Sequence, residues 1–224
     1  MSNLNSFKSS GLIQKSELFT ASGTWTKSSK FAGTDVWVTA IGGGGSGTST
    51  TFGSSISSGG DGGSFAYTVS IDVSATSSET VTVGAGGALA NGGGANLNGN
   101  SGGVTSLGVL LSVSGGQGGK TSINTQLANN TGGTMGGRED NHEFAQSNPC
   151  AVGGNGGLSN TLTSGAGGGG GLILDDSGVS GDTVSSIGSG GVGYGSGGSC
   201  SLSNATDSGA GANGAMLITW METL

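Results

Sequence analysis

The reactive side chains of this sequence concentrate in one stretch, "MGGREDNHEFAQSNPCAV" (Met135–Val152). It holds the only Arg, the only His and the only Pro of the chain. A polar loop that carries an Arg and an aromatic side chain is typical of a recognition surface. The stretch therefore predicts a binding loop; the alternative is a solvated loop in which Arg138 pairs with one of the neighbouring carboxylates. The predicted contact residues are Arg138, Glu139, Asp140, Asn141, His142, Glu143 and Phe144.

Enzyme-like patterns in the chain are incomplete. "SGGQGGKT" resembles a phosphate-binding P-loop, but Ser114 stands where the first Gly is required, and no helix pattern follows Lys120. One His and two Cys would need carboxylates to complete a zinc site, and no nucleophile elbow is present. We expect a protein without enzymatic activity, without a cofactor and without a bound metal.

The composition excludes several classes of protein. Of 224 residues 53 are Gly, hydrophobic residues make up 32% and aromatic residues 5%, so a thick conventional core is not expected. Charged residues make up only 8%, unlike a disordered polyelectrolyte. With six Lys and Arg and a net charge of −7, the chain is not expected to bind nucleic acid.

No membrane or export signal is evident. The opening "MSNLNSFKSSGLIQK" lacks an apolar core, and no stretch of about 20 apolar residues occurs. We expect synthesis without a signal peptide and no membrane insertion. The two cysteines, Cys150 and Cys200, allow one disulfide, although reduced structural thiols are the favoured interpretation.

The glycines come as runs such as GG, GGxGG and GGGGG, which excludes the strict Gly-X-Y repeat of collagen. Glycine runs in the polyproline-II conformation have three residues per turn and no internal hydrogen bonds. Because they lack Cβ atoms, such runs can pack side by side and pair N–H with C=O between neighbours. The sequence thus predicts a core built of backbone.

Alternating apolar residues between the glycine runs predict strands. Together they indicate an all-β fold: a small β-sandwich framework with a polyglycine-II helix bundle, exposed variable loops and essentially no α-helix. Trp25, Trp37 and Trp220 are expected to pack within the sandwich. The predicted strands are Glu17–Thr26 with a bend at Gly23, Asp35–Ile41, Ser64–Val73, Glu79–Val83, Val104–Val113, Leu172–Leu174 and Ala215–Met221.

The intervals between glycine runs are the candidate binding loops. Within them Phe52 and Tyr194 join the predicted receptor contacts, because each is an aromatic residue in a loop or glycine context. The predicted loops are Ser46–Ser58, Ala88–Ser101, Thr121–Thr131, Met135–Val152, Leu158–Ser164, Asp176–Ser189 and Ser199–Ser208.

One ordered series of motifs resembles a known family. "LFTASGTWT", "VWVTAIGGGGSG", internal "GGDGG", "GGQGG" and "GAGGGGG", and a closing "GANGAMLITW" resemble the glycine-rich domain at the tips of bacteriophage tail fibres. The resemblance covers about Glu17 to Glu222. Many relatives carry a Pro soon after the first strand, where this chain has "TKSSKFAG".

The resemblance implies an adhesin located at the tail fibre tip of a virion and made in the host cytoplasm. Its expected partners are a bacterial outer-membrane protein or surface polysaccharide and the fibre shaft protein, with the chain present as a homotrimer or as a single copy on a trimeric fibre. Residues 1–16 would form an N-terminal attachment segment and residues 17–224 the tip domain. A structural cap or adaptor of the fibre is the main alternative; an ice-binding protein and a tip depolymerase fit less well.

Overall fold

The computed structural model describes residues 11–49, 56–91, 97–122, 158–159, 190–191, 193–201 and 207–224. Within these residues the chain is all-β, with no helix. The strands are β1 (Leu12–Phe19), β2 (Gly23–Thr26), β3 (Phe31–Ile41), β4 (Ile56–Ser58), β5 (Phe65–Asp72), β6 (Ser78–Thr82), β7 (Thr105–Leu107), β8 (Leu111–Val113), β9 (Thr121–Ser122), β10 (Leu158–Ser159) and β11 (Ala215–Thr223).

Two four-stranded antiparallel sheets form a β-sandwich. Sheet A has the strand order β1-β11-β3-β5, and sheet B has the order β2-β6-β7-β8. Alternate residues of both sheets point inward and form one apolar core. Its fully buried members include Val36 and Val38 of β3, Ile218 of β11, and Val81 and Leu107 of sheet B.

Most predicted strands are confirmed, but two of them are each divided into two strands. The stretch Glu17–Thr26 is divided between β1 and β2, which belong to different sheets. Val104–Val113 is a hairpin of β7 and β8, because Gly108 turns the chain with a φ of 49°. β1 begins at Leu12, so the sandwich includes residues that the sequence assigned to the N-terminal segment. The predicted strand Leu172–Leu174 lies outside the described residues.

Two of the three tryptophans pack in the core. Trp25 is fully buried and meets the Trp220 ring edge-on, with centroids 6.1 Å apart. Trp220 Nε1 donates a hydrogen bond of 3.0 Å to Glu222 Oε1, and this bond, followed by one with Ser28, lowers the pKa of Glu222. The prediction for Trp37 is wrong: its side chain is 38% exposed, because it points to the outer face of sheet A.

Beyond β3 the chain continues as a straight glycine-rich segment, residues 42–49, which we call the central segment. Successive backbone N–H groups donate to three neighbouring segments in turn, so that every third residue donates to the same segment. Gly42 and Gly45 donate to Ser64 and Asp61, Gly43 and Ser46 to Gly103 and Asn100, and Gly44 and Gly47 to Ala212 and Gly209, at 2.8 to 3.0 Å. Each partner segment recurs every third residue, which is the repeat of a polyproline-II helix. The predicted backbone core is confirmed here.

The carbonyl groups of the central segment accept from three further segments. Gly43 and Ser46 accept from Gly116 and Gly119, Gly45 and Thr48 from Gly198 and Ser201, and Gly44 from Gly87. The order of these pairings shows that the donors run parallel to the central segment, whereas the segments that accept from it run antiparallel. All N–H groups of residues 42–47 are thereby paired with antiparallel neighbours.

The six surrounding segments, which we call ring segments, are also bonded to one another. In order around the ring they are residues 59–64, 114–119, 97–103, 84–90, 207–214 and 195–201. One bond of each contact is Ser64 N to Ser114 O, Gly102 N to Gly116 O, Gly103 N to Ala85 O, Gly211 N to Gly87 O, Ala212 N to Ser196 O and Gly60 N to Gly198 O. Among the described residues, the bundle is thus a closed hexagon around one central helix.

Close packing makes glycine obligatory at position 45 of the central segment. Gly45 donates to Asp61 O, accepts from Gly198 N, and turns its Cα toward the carbonyl of Gln117. A Cβ on Gly45 would lie far inside van der Waals contact with that carbonyl oxygen. Because the obstacle is backbone that is itself hydrogen-bonded, it cannot move aside without breaking other pairs.

Thr105 ties the sandwich to the bundle. It is fully buried at the start of β7. Its Oγ1 donates to Ile41 O at 2.8 Å and accepts from Gly84 N at 3.0 Å. One hydroxyl therefore pairs two backbone groups where two strands pass into the bundle.

Gly45→Ala is expected to lower the free energy of unfolding by more than ~4 kcal/mol, or to prevent folding, since the added methyl group forces the hexagon apart. Gly190→Ala is the matched control: its Cβ would meet only Ala210 O at 3.6 Å, so we expect a change within ~1 kcal/mol. Chemical denaturation compares them. Equal effects of the two substitutions would contradict a close-packed interior.

Thr105→Val keeps the side-chain shape and removes the hydroxyl. It should cost about 2–4 kcal/mol of stability, because the Ile41 carbonyl and the Gly84 amide lose their partner in a buried site. Thr82→Val, at an exposed position of β6, should stay within ~0.5 kcal/mol. A Thr105→Val protein as stable as the wild type would show that water or rearrangement satisfies both groups.

The stability of the fold should depend on pH through Glu222. Its pKa in the folded protein lies below the ordinary value of 4.5, so the ionised carboxylate stabilises the fold above pH 4.5, and this contribution is lost as the pH falls through the folded pKa. We expect the stability difference between wild type and Glu222→Gln, measured by denaturation from pH 7 to pH 3, to shrink below pH 4.5.

The variant Trp220→Phe provides the check, because it keeps the carboxylate and removes the donor. Its free energy of unfolding should therefore change less than that of the wild type as the pH falls below 4.5. A wild-type and a Trp220→Phe protein with parallel pH profiles would rule out the Trp220–Glu222 bond as the cause.

Candidate functional site

The strands and the bundle segments are continuous, and this sets the two ends of the molecule. β3, β6 and β8 lead into the segments 42–49, 84–90 and 114–119, whereas the segments 59–64, 97–103 and 207–214 lead into β5, β7 and β11. The sandwich therefore occupies one end, which we call proximal. The opposite, distal end is where the described bundle segments are connected to one another.

The distal end carries the connections between glycine segments. The chain leaves the bundle there after Ser49, Asn91 and Ser201 and returns at residues 59, 97 and 207. The three-stranded sheet β10-β4-β9 lies beside these connections, since β4 directly precedes residues 59–64 and β9 directly follows residues 114–119. Stretches that are far apart in the sequence are thus gathered at one end of a rigid bundle.

The structure narrows the candidate loops that the sequence predicted. Ser46 to Ser49 are buried within the central segment, and Ser199 to Ser201 are buried within a ring segment. Residues 98–101 also belong to the ring, since Asn100 O accepts from Ser46 N and Asn100 N donates to Ser46 Oγ. The connections between these described segments are therefore shorter than the predicted loops.

Of the predicted contact residues, only Tyr194 is described. It is half-buried and packs against Ile41, Phe65 and Ala215, where the bundle meets sheet A. Tyr194 therefore has a packing role near the proximal half and is separated from the distal connections. Phe52, Arg138, Glu139, Asp140, Asn141, His142, Glu143 and Phe144 lie outside the described residues.

Two exposed leucines at the distal end lie within the predicted loop Ala88–Ser101, although the sequence reasoning did not name them as contact residues. Leu89 and Leu97 lie on neighbouring ring segments, near the points where the chain leaves and re-enters the bundle. Leu97 pairs through its backbone with Ser49, which leaves its side chain outside. The signal in the sequence was present: both are large apolar residues in "GALANGGGANLNGN", where no strand pattern requires them.

Side chains also pair backbone amides between two neighbouring ring segments. Ser208 Oγ accepts from Ala90 N at 2.8 Å, and Asn213 Oδ1 accepts from Gly86 N at 2.9 Å. Both bonds join segments 84–90 and 207–214, so these side chains supplement the backbone pairing between the two segments.

The apparent phosphate-binding motif is used structurally. In "SGGQGGKT" the amides of Gly116 and Gly119 donate to Gly43 O and Ser46 O, and the Gly118 amide donates to Ser101 Oγ. Amides that are bonded within the bundle are not available to cradle a phosphate, so this stretch does not have the geometry of a P-loop.

Neither a metal centre nor a membrane span emerges from the described part of the chain. No group of three or more His, Cys, Asp or Glu side chains comes together there. Cys200 is buried in a ring segment and is not part of a disulfide. Across the same residues, no helix is long and apolar enough to cross a membrane.

Comparison with known proteins gave one match. A family model described as a glycine-rich domain matches residues 20–221, almost the whole chain. The search of curated proteins found no match.

Proposed function

The chain belongs to the glycine-rich domain family, and from that premise we propose that it is a non-enzymatic adhesin at the tip of a bacteriophage tail fibre. It binds a receptor on the bacterial host surface through the loops at the distal end. The observation that carries this proposal is the gathering of separate chain connections at one end of a close-packed bundle.

A backbone core suits a recognition protein whose loops must change. The interior of the hexagon is held by N–H and C=O groups, and its close contacts involve glycine Cα atoms. Loop residues therefore make little contribution to the core and can be replaced without repacking it. Rigid scaffolds that present variable loops are a common solution for binding sites.

The loop residues indicate the chemistry of the receptor. Arg138 and Phe144, with Phe52 in a separate loop, supply the arginine and aromatic side chains that dominate binding energy in many interfaces. The exposed Leu89 and Leu97 supply apolar surface at the distal end. Because the chain carries a net charge of −7, a loop of an outer-membrane protein is a better target than an anionic surface polysaccharide.

The proximal end is the part that faces the fibre in this proposal. Gly11 and Leu224 pair there through their backbones, so β1 begins at the end opposite the distal connections. The attachment segment for the shaft protein is assigned to residues 1–16, of which residues 12–16 also belong to β1 of the sandwich. The chain sits on the shaft as a homotrimer or as a single copy per trimeric fibre.

Replacing residues 135–152 by a Gly/Ser stretch of equal length should reduce binding of the labelled, purified chain to susceptible bacteria at least ~30-fold, the effect of losing a binding hot spot. The same protein should no longer block infection. Flow cytometry and plaque counts measure the two effects. Thr24→Ala, at an exposed position of β2, should leave both unchanged.

Two results would contradict the proposal. A wild-type chain that neither binds susceptible cells nor blocks infection would favour a structural cap or adaptor. A loop variant that keeps its melting temperature and still binds normally would show that the stretch 135–152 is not the recognition site.

A further inference from the structure

Three stretches of this chain share the motif GG-x-GG, in which x is a residue with a polar side chain. Two of them, "GGDGG" (residues 59–63) and "GGQGG" (residues 115–119), form neighbouring ring segments. The third, "GGNGG" (residues 153–157), lies outside the described residues. It directly precedes β10, and the pairing of β10 indicates where this third motif belongs.

The strand β4 leads into GGDGG and has a strand on each side. β9 pairs with one edge of β4 and β10 pairs with the other edge, both antiparallel. In the chain β9 follows GGQGG, and β10 follows GGNGG. The two strands that flank β4 are therefore each connected to a glycine motif in the same way.

On the β9 side, the register of the strands continues unchanged into the bundle. Counting on from the pairs between β4 and β9, Asp61 comes opposite Gln117, and Ser64 comes opposite Ser114. The bundle contains these pairs: the amides of Asp61 and Ser64 donate to the carbonyl groups of Gln117 and Ser114, both at 2.9 Å. The middle residues of GGDGG and GGQGG are thereby aligned.

On the β10 side, the same count leads to the third motif. Ser58 of β4 is opposite Leu158 of β10. Counting on from this pair, the residue opposite Asp61 is Asn155, the middle residue of GGNGG. Two registers that are set by different strands thus align the middle residues of all three motifs.

The outer side of the bundle is covered next to the first motif. Every residue of the ring segments 59–64 and 195–201 is buried. The ring segment 84–90 also has three described neighbours, yet Ala85 and Ala88 on it are exposed. The described neighbours of segment 59–64 lie on its inner side, so another part of the chain supplies its outer neighbour.

We propose that residues 153–157 form a further glycine helix, which we call the outer helix, in the groove between segments 59–64 and 195–201. It runs antiparallel to segment 59–64. Only a stretch almost without side chains can lie this close to two glycine segments. The run "GAGGGGG" (residues 165–171) is equally poor in side chains, but no described strand connects it to β4.

Two carbonyl groups of the first motif are the expected acceptors. Gly60 O and Gly63 O receive no backbone hydrogen bond from the described residues. A Cβ on Gly197 would meet Gly60 O, so this oxygen lies beside the groove. The aligned register places Gly156 opposite Gly60 and Gly153 opposite Gly63, and their amides donate to these two oxygens.

The outer helix attaches the stretch 135–152, which precedes it in the chain. Segment 59–64 runs from the distal end toward the sandwich, so the antiparallel outer helix runs back to β10 at the distal end. Four residue steps of ~3.1 Å place residue 153 about 12 Å from that end. The C-terminal end of the stretch 135–152 is therefore held at the side of the bundle. This inference does not rest on the proposed function.

NMR on the full, isotope-labelled chain tests the proposal, because scalar couplings across hydrogen bonds identify both donor and acceptor. We expect couplings from Gly156 N to the carbonyl carbon of Gly60 and from Gly153 N to that of Gly63. Both amides should exchange with solvent at least ~10³-fold more slowly than the amide of Val109, a residue that is 100% exposed.

Two results would overturn the proposal. One is rapid exchange of the Gly153 and Gly156 amides. The other is a coupling that joins Gly60 or Gly63 to a different stretch, such as residues 165–171.

Gly156→Ala and Asn155→Ala form a matched pair of variants. At the corresponding positions of GGQGG, a Cβ on Gly118 would meet Gly99 O, whereas Gln117 is exposed. We expect Gly156→Ala to lower the melting temperature by at least ~5 °C and Asn155→Ala to change it by less than ~2 °C. Equal shifts for the two variants would contradict a close contact between the outer helix and the bundle.

Discussion

The hydrogen bonds between backbone amides of the central segment and its six neighbours are the interaction on which the rest of the structure depends. Residues 42–47 donate to three antiparallel segments, and residues 43–46 and 48 accept from three parallel ones. Glycine is the costliest residue to order, so this interior forms only if nearly every amide is paired at once. The bundle is therefore cooperative: its segments stabilise one another, and none would be stable alone.

The sandwich aligns the segments so that this pairing can occur. β3 and β11 are in register next to the point where their chains enter the bundle, and Ala215 is opposite Ile41. Thr105 adds a hydroxyl that bonds Ile41 and Gly84. A modest apolar core of ordinary composition thus fixes the starting positions, and the glycine segments continue from it. Because both cores are formed by described residues of the strands and glycine segments, this arrangement is compatible with the proposed recognition through exchangeable loops.

Local patterns in the sequence were sufficient for the strands and for the nature of the core. Alternating apolar residues predicted β3, β5 and β11, and the glycine runs predicted hydrogen bonding between backbone segments. The hexagonal arrangement could not be predicted, because the partners of Gly44 and Gly45 are more than 15 positions away and are set by packing. The hairpin at Gly108 was not predicted, because apolar residues recur on both sides of this glycine in "VTSLGVLLSV". Trp25 and Trp37 both lie in predicted strands, but Trp25 points into the core and Trp37 points outward. The sequence alone does not show which face of a strand is buried.

Among the predicted contact residues, Tyr194 alone is described, and its packing against Phe65 depends on a turn that no local pattern indicates.

Hydrogen exchange of the central amides tests the account most directly. Residue-resolved NMR on the full chain can follow Gly42 to Gly47 beside exposed positions such as Val109. Amides that are bonded in a cooperative core exchange only when the whole domain unfolds. The account predicts that all six exchange together, at a free energy equal to that of global unfolding and as slowly as Val38 in β3. Rapid, independent exchange of these six amides, with Val38 still protected, would show that the glycine segments are not the core of this protein.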